Sequence, residues 1–154
     1  MKQPAQHPEA VTLADMVAMC VCLNVRQAAR AVTQLYDGVL RPSGLRAPQV
    51  GLLSAIAMAG ETTVTRLAEG LIMDRTTLTR NLKPLESHGL IAIESGEDRR
   101  TRVVRVTESG RQALTVALPL WQAAQEQVVT RLGDEHRRTL LAELKAVTRL
   151  VRPG

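Results

Sequence analysis

Aromatic side chains are almost missing from this 154-residue sequence, which contains no Phe, one Trp and one Tyr. Proteins that hold single-stranded nucleic acid usually stack its bases on aromatic rings, and this chain can supply almost none. Its core must therefore be built from aliphatic side chains and Met. The net charge of +5 suggests a polyanionic partner; the alternative is a solvated surface that is basic without binding one. Among nucleic acids, the composition favours duplex DNA over RNA or single strands.

Residues that could hold a metal or carry out catalysis are also few. The two cysteines, Cys20 and Cys22, cannot form a disulfide framework, and the three histidines are scattered along the chain. Neither residue type gives the ligand spacing of a zinc site. Phosphate-binding glycine loops and the G-x-S-x-G and H-E-x-x-H motifs are missing as well. We therefore expect no metal, no cofactor and no enzymatic activity.

Long apolar runs are the third absence. No stretch of about 20 apolar residues could cross a membrane, and the N-terminus lacks the charged and then apolar runs of a signal peptide. We expect a cytoplasmic protein with no membrane partner. The length fits one domain, or one domain with a dimerisation extension.

The most informative stretch runs from Asp74 to Thr107 and begins with a helix. Asp74 can accept a hydrogen bond from a free N–H of the first turn. Leucines then recur at helical spacing and should face the core: Leu78, Leu82 and Leu85. The opposite side carries hydroxyls and cations and suits a DNA groove: Thr76, Thr77, Thr79, Arg80 and Lys83. Since a proline removes a backbone hydrogen bond, we expect a bend at Pro84.

A basic β-hairpin follows the helix. Ile91 and Ile93 on one strand, and Val104 and Val106 on the other, alternate so that one side of the hairpin is apolar. The hairpin tip, residues 95–100, is a polar loop that ends in two adjacent arginines, Arg99 and Arg100. Such a loop can reach a phosphate backbone or a minor groove, where the negative potential attracts cations. We expect Asp98 to orient the tip through a salt bridge to Arg100.

Four segments carry a resemblance to a known family: TVTRLA (63–68), DRTTLTR (74–80), LESHGLI (85–91) and EDRRTRVVRVTESG (97–110). Together they resemble the winged helix-turn-helix of the MarR family of bacterial transcription regulators, most densely over residues 45–111. The resemblance implies a mainly α fold with a small β-hairpin wing (α+β). Residues 45–107 would form the DNA-binding lobe of a single domain, 12–154. Residues 12–44 and 108–154 would form dimerisation helices, and residues 1–11 a flexible arm.

Shorter elements complete the predicted lobe. A helix should run from Ala47 to Gly60, because Pro48 is acceptable in a first turn. A further helix should begin at Val64. The residues between them, 61–63, form either an edge strand beside the wing or a simple connection.

The two ends of the chain should be long apolar helices. Thr12 and Asp15 predict the start of one helix that reaches about Leu40. Thr107 should cap a second helix that ends at Gly133, with a kink at Pro119. Asp134 should cap a last helix with an apolar seam: Leu140, Leu144, Val147 and Val151. In the MarR family the terminal helices interlock as a homodimer, which the resemblance implies here; the alternative is a monomer.

A dimer of this kind would constrain the DNA site. Two recognition helices related by a two-fold axis enter successive major grooves only when held ~34–36 Å apart. The resemblance therefore implies a palindromic or pseudo-palindromic operator, and anything that changes the spacing would control binding.

One possible switch is redox. Cys22 and Tyr36 have the separation found in the MarR branch that senses organic hydroperoxides, so the resemblance implies a redox sensor. Two features depart from that branch: Ala47 stands where a tyrosine is expected, and the C-terminal half has no cysteine. On one helix, Cys20 and Cys22 would point about 200° apart, so a disulfide between them is not expected. Alternatively, both cysteines pack in a helix interface.

The other possible switch is a small effector. MarR-family proteins commonly bind aromatic carboxylates or phenolic compounds, and Arg26 or Arg30 could bind a carboxylate through two hydrogen bonds. Trp121 could lie against the ring of such a ligand. Each of these three residues could equally be an ordinary surface or packing residue.

The sequence thus predicts a homodimeric transcription repressor that binds double-stranded DNA. Arg80 is the candidate for reading guanine, and Arg75 and Lys83 for binding phosphates. The full set of predicted DNA-binding residues is Arg75, Thr76, Thr77, Thr79, Arg80, Lys83, Arg99 and Arg100. The alternative is a winged-helix protein-interaction module without sequence-specific DNA binding, which would tend to carry apolar or acidic residues on the exposed side of the same helix.

Overall fold

The computed structural model describes residues 11–98 and 100–150. The chain divides into two compact units, one up to residue 34 and one from residue 35 onward. We call them the N-terminal unit and the main unit. The domain boundaries expected from the sequence remain a prediction.

The N-terminal unit begins with α1 (Leu13–Met19), whose start is the capping box expected from the sequence. The Thr12 hydroxyl accepts a hydrogen bond from the N–H of Asp15 at 3.1 Å, and the Asp15 carboxylate accepts one from the N–H of Thr12 at 3.0 Å. Hydrogen bonds from Thr12 also lower the pKa of the Asp15 carboxyl. Both groups stabilise the first turn of α1.

The prediction of one helix from Thr12 to Leu40 is wrong, because the helix is interrupted at Cys20. This residue is extended (φ −70°, ψ 105°), and α2 (Val21–Leu40) starts after it. The Asn24 side chain explains the break, since its amide donates to the carbonyl oxygens of Val17, Ala18 and Cys20 at 2.9–3.4 Å. In addition, the N–H of Leu23 donates to Cys20 Sγ at 3.5 Å. Side chains therefore satisfy backbone groups at both new helix ends.

The main unit contains the end of α2 and the remaining elements. A single 3-10 turn (Arg41–Ser43) leads into α3 (Ala47–Ala59), β1 (Thr62–Thr63), α4 (Val64–Gly70) and α5 (Arg75–Ser87). They are followed by β2 (Ile91–Ser95), β3 (Arg102–Val106), α6 (Glu108–Leu132) and α7 (Asp134–Arg149). The three strands form an antiparallel sheet in the order β1-β3-β2. This is the predicted mainly α fold with a small β wing, and residues 62–63 form an edge strand.

The helix caps predicted in the main unit are confirmed at α5 and α6 but not at α7. Asp74 accepts the N–H of Thr77, and Thr107 accepts the N–H of Gly110. Asp134 was expected to cap α7, but it is the first residue inside the helix and Gly133 (φ 80°) precedes it. The Asp134 carboxylate instead binds the guanidinium groups of Arg137 at 2.6 Å and Arg138 at 3.0 Å.

The core of the main unit is aliphatic, as the composition requires. Its largest fully buried side chains are Leu40, Leu53, Ile56, Leu78, Leu82, Leu85 and Val104. Helix α5 continues through Pro84 to Ser87, and the Pro84 carbonyl accepts the N–H of His88 at 3.2 Å. The bend expected at Pro84 remains a prediction. The core thus joins α3, α5 and the sheet into one lobe.

The turn between α4 and α5 contains a residue in an unusual conformation. The N–H of Met73 donates to the Ala68 carbonyl at 2.9 Å, and that of Ile72 to the Glu69 carbonyl at 3.2 Å. This pair of bonds is a Schellman motif, in which glycine normally occupies the left-handed position. Here Ile72 occupies it with φ 54°. A β-branched residue in this region is strained.

The base of the wing is tied to the start of α6. The hydroxyl of Thr107 donates to the Gly89 carbonyl at 2.6 Å, and its N–H donates to the Leu90 carbonyl at 3.1 Å. A Cβ atom at Gly110 would lie 2.1 Å from the Leu90 oxygen. Only glycine therefore lets α6 approach the sheet this closely.

Candidate nucleic-acid interface

The two faces of α5 differ completely in exposure. Leu78, Leu82 and Leu85 have no exposed surface. The residues predicted to contact DNA are all exposed except Thr77, which is half-buried: Arg75, Thr76, Thr77, Thr79, Arg80 and Lys83. Within the described residues, none of the three cations on this face has a carboxylate partner. Helix α5 therefore presents uncompensated positive charge on one side, while its leucine side is buried in the core.

Hydrogen bonds at the start of α5 fix two of its polar groups. The Asp74 carboxylate accepts the N–H of Thr77 at 2.8 Å, and hydrogen bonds from Thr77 lower the pKa of Asp74. Asp74 is therefore ionised at neutral pH and favourable at the positive end of the helix dipole. The Thr79 hydroxyl donates to the Arg75 carbonyl at 2.7 Å. Because the Thr79 hydroxyl already donates its proton, it can act only as a hydrogen-bond acceptor for a DNA base.

The wing has the predicted register, in which Ile91 lies opposite Val106 and Ile93 opposite Val104. At its tip, however, the expected salt bridge between Asp98 and Arg100 is not among the ion pairs of the described residues. The Asp98 carboxylate instead accepts the backbone N–H of Arg100 at 3.0 Å, because the tight turn brings that N–H within reach. The guanidinium group of Arg100 is exposed, and Arg99 lies outside the described residues.

A second candidate site in the main unit is an open pocket of about 640 Å³. Its lining residues come from the end of α2, from α3 and from α6: Tyr36, Leu40, Ala47, Val50, Gly51, Ser54, Ala57, Met58, Leu114, Thr115, Leu118 and Trp121. The one tyrosine and the one tryptophan of the sequence both belong to this set. No lining residue is charged. We call it the aromatic pocket.

Hydroxyl groups are the polar features of the aromatic pocket. Burial raises the pKa of the Tyr36 phenol, so the group is protonated at neutral pH. The Thr115 hydroxyl donates to the Arg111 carbonyl at 3.0 Å. Within the described residues, Tyr36 and Ser54 make no side-chain hydrogen bond. Their hydroxyls are therefore available to a bound molecule.

The sequence suggested Trp121 as a ligand residue and Tyr36 as part of a redox sensor, but it did not predict the pocket that both residues line. Most lining residues are small or aliphatic and are far apart in the sequence. One local signal is the helical spacing of Gly51, Ser54 and Ala57, because these small residues leave one face of α3 without large side chains. Arg26 and Arg30, the other predicted ligand residues, are exposed on α2 in the N-terminal unit.

The cysteines lie in the N-terminal unit and are free thiols; Cys22 is exposed and Cys20 is half-buried. We expected no disulfide between them because both cysteines would belong to one helix. Because Cys20 is extended and ends α1, the two cysteines do not lie on one helix. Their predicted 200° separation around a helix axis therefore does not apply. Elsewhere in the described residues, no group of three or more His, Cys, Asp or Glu side chains could hold a metal ion. No helix in the described ranges could span a membrane.

Comparison with known proteins gives consistent results. A family model described as MarR family matches residues 43–101. The crystal structure of the M. tuberculosis transcriptional regulator MosR in complex with DNA is 38% identical, covers 87% of this chain and 99% of that chain, and superposes with a TM-score of 0.75. Transcriptional regulator HosA of Escherichia coli O157:H7 is 30% identical over 94 residues, 60% of this chain and 70% of HosA.

A third similar protein is also described as a transcriptional regulator. The organic hydroperoxide resistance transcriptional regulator of Bacillus subtilis is 32% identical over 91 residues, which are 58% of this chain and 62% of that protein. The matches agree with the fold class expected from the sequence. They also favour DNA binding over the alternative of a protein-interaction module.

Proposed function

Because this chain belongs to the MarR family of DNA-binding transcription regulators, we propose that it is a homodimeric repressor of a pseudo-palindromic operator, released by a small aromatic compound or by oxidation. The observation that carries this proposal is the exposed face of α5. It combines hydroxyls with cations that lack carboxylate partners, on a helix anchored by three buried leucines.

Each exposed residue of α5 has a proposed contact. Arg80 lies past the first turn and can bind the O6 and N7 atoms of guanine with two hydrogen bonds. Thr76, Thr77 and Thr79 lie beside it and can contact base edges or thymine methyl groups. Arg75 and Lys83 stand at the margins and bind phosphates. For Arg99 and Arg100 we propose contacts with the adjacent backbone or minor groove. Asp98 orders the wing tip by accepting the N–H of Arg100.

The homodimer is supported by apolar side chains that one chain leaves uncovered. Leu140, Leu144 and Val147 on α7 are 43%, 38% and 37% exposed. In the N-terminal unit, Leu13 and Met19 on α1 are also exposed. A stripe of this kind is typical of an interaction surface, and a two-fold assembly is the commonest way to cover it.

Operator binding can be tested by fluorescence anisotropy. A labelled duplex from the region upstream of the protein's own gene should bind about 10³-fold or more tightly than a scrambled duplex of the same composition. Hydroxyl-radical footprinting should show two protected half-sites with a centre-to-centre distance of about one helical turn. Equal affinity for the two duplexes would exclude a sequence-specific regulator.

Repression itself requires a measurement in cells. A reporter fused to the same upstream region should increase when the protein is deleted and decrease when it is supplied again. A reporter that falls on deletion would make the protein an activator.

The aromatic pocket favours release by a phenolic compound. Its aliphatic walls and two aromatic rings provide a surface for a flat ligand. The hydroxyls of Tyr36 and Ser54 can bind a phenol, whereas no lining residue supplies a cation for a carboxylate. Since Trp121 is the single tryptophan, its fluorescence should change when a phenol binds, and Trp121→Phe should abolish the signal. Anisotropy measured in parallel shows whether binding also releases DNA.

Oxidation of Cys22 is the second candidate, favoured by the exposure of its thiol and by the identity to the hydroperoxide resistance regulator. The test compares the DNA affinity of reduced wild type and Cys22→Ser before and after a mild organic hydroperoxide. Release of wild type alone would identify Cys22 as the sensor. If both proteins stay bound, the cysteines are packing residues and the aromatic pocket is the remaining candidate.

A further inference from the structure

Strand β3 carries two arginines that point to opposite faces of the wing. In the β2–β3 register, Arg102 lies opposite Ser95, two positions beyond the pair formed by Ile93 and Val104. Side chains alternate along a strand, so Arg102 shares the face of the buried residue Val104. Arg105 belongs to the other face. The two arginines are three residues apart, and both are exposed.

The face that carries Arg105 is acidic. The Arg105 guanidinium binds the Glu94 carboxylate at 2.9 Å. Two further carboxylates, those of Glu61 and Glu97, line the same shallow depression together with Arg105. Three acidic residues and one basic residue thus line this depression. This face carries net negative charge and repels a phosphate backbone.

The face that carries Arg102 is the one that the helices cover. Ile91 and Val104 on it are buried in the same core as Leu82 of α5. Arg102 follows Val104 on the same face of the sheet but lies beyond the edge of the core, where its side chain is exposed. It has no ion-pair partner in the part of the chain that the structure describes. Arg102 therefore adds uncompensated positive charge on the side of the sheet where α5 lies.

We propose that duplex DNA lies against the α5 side of the wing, and that Arg102 binds a phosphate there while Arg105 does not contact DNA. The acidic face, with Glu61, Glu94 and Glu97, then points away from the duplex. The charge difference between the two faces orients the wing as it approaches the polyanion. Arg102 was not among the residues predicted from the sequence. The inference rests on DNA binding and does not depend on the operator or the effector.

Arg102→Ala and Arg105→Ala form a matched pair for the test. Both variants remove one positive charge from the same strand, so a long-range effect of net charge is the same in each. Their affinities for a duplex from the protein's upstream region and for a scrambled duplex are measured by anisotropy over a range of salt concentrations. Arg102→Ala should weaken both duplexes by the same factor. It should also reduce the slope of log affinity against log salt by about 0.9 for each lost contact.

Arg105→Ala should leave that slope unchanged. Circular dichroism of both variants tests whether each keeps its fold. Glu94→Gln serves as a further control, because neutralising a carboxylate that faces away from DNA should not change the slope. An unchanged slope in Arg102→Ala, or an equal reduction in Arg105→Ala, would overturn the proposal. If wild type itself shows no salt-dependent duplex binding, the DNA-binding function fails instead.

Discussion

Leucine repeats occur on both α5 and α7, but the two helices place them in opposite environments. On α5, Leu78, Leu82 and Leu85 are fully buried by the lobe of their own chain. On α7, Leu140 and Leu144 stay about two-fifths exposed at 43% and 38%. Helical spacing therefore predicts which residues share a face, but it does not predict what covers that face. The lobe completes its own core, whereas α7 leaves its apolar face exposed in the single chain.

The largest expected effect is on the core of the lobe. Leu82→Ala removes a fully buried side chain and should lower the free energy of unfolding by about 2–5 kcal/mol. The matched variant Leu144→Ala should mainly raise the dissociation constant of the proposed dimer, since its side chain is exposed in the single chain. Urea unfolding and sedimentation equilibrium measure the two effects. A loss of no more than about 0.5 kcal/mol in Leu82→Ala, as expected at a surface site, would contradict the burial of the α5 leucines.

A smaller loss is expected where α6 meets the wing. Gly110→Ala would place a Cβ 2.1 Å from the Leu90 oxygen, so the backbone must shift at a cost of about 1–3 kcal/mol. Gly51→Ala is the control, because nothing lies within 4 Å of its added Cβ. In the interior of α3, that substitution should stabilise by about 0.5–1 kcal/mol. Thermal unfolding of both variants should therefore give shifts of opposite sign, and shifts of the same sign would contradict the close approach.

On the exposed side of α5, Arg80→Ala should cost about 1–3 kcal/mol of operator binding and relax base preference at one position. Lys83→Ala should instead weaken operator and scrambled duplex by the same factor, because a phosphate contact carries no sequence information. Anisotropy with single-base variants of the operator separates the two residues. Equal loss on all sequences in Arg80→Ala would make Arg80 a phosphate contact too.

The smallest effect concerns pH. Hydrogen bonds from Thr77 lower the folded pKa of Asp74 below its ordinary value of 3.8. The stabilisation by this carboxylate is therefore complete above the ordinary pKa and is lost as pH falls through the folded pKa. Asp74→Asn keeps a cap but removes the titration, so its unfolding free energy should fall less steeply in acid.

Urea unfolding at a series of pH values down to roughly pH 3 measures this difference. Part of the acid sensitivity should remain in Asp74→Asn, because Asp15 and Asp134 also have lowered pKa values. Identical pH profiles for Asp74→Asn and wild type would mean that the cap is not formed in solution.

Most helix starts and the wing strands could be predicted because their signals are local. At Thr12, Asp74 and Thr107, the capping side chain accepts a hydrogen bond from the backbone N–H three residues later. The alternation of the wing strands likewise requires only period-two counting. These signals placed α5, the hairpin and the face that carries Arg80.

The errors arose where a distant or competing side chain decides the structure. The break at Cys20 depends on the amide of Asn24, and Asp134 pairs with two arginines instead of capping α7. The left-handed conformation of Ile72 has no sequence signal, since glycine is the residue expected there. The aromatic pocket could not be predicted either, because it forms only when α3 and α6 come together.

Native mass spectrometry of the protein on a duplex from its own upstream region tests the central claim most directly: that the exposed apolar helices join two lobes on one operator. The account predicts two chains per duplex for wild type, and weak binding of single chains for Leu144→Asp. A complex of one chain per duplex in wild type, or unchanged two-chain binding in Leu144→Asp, would contradict it.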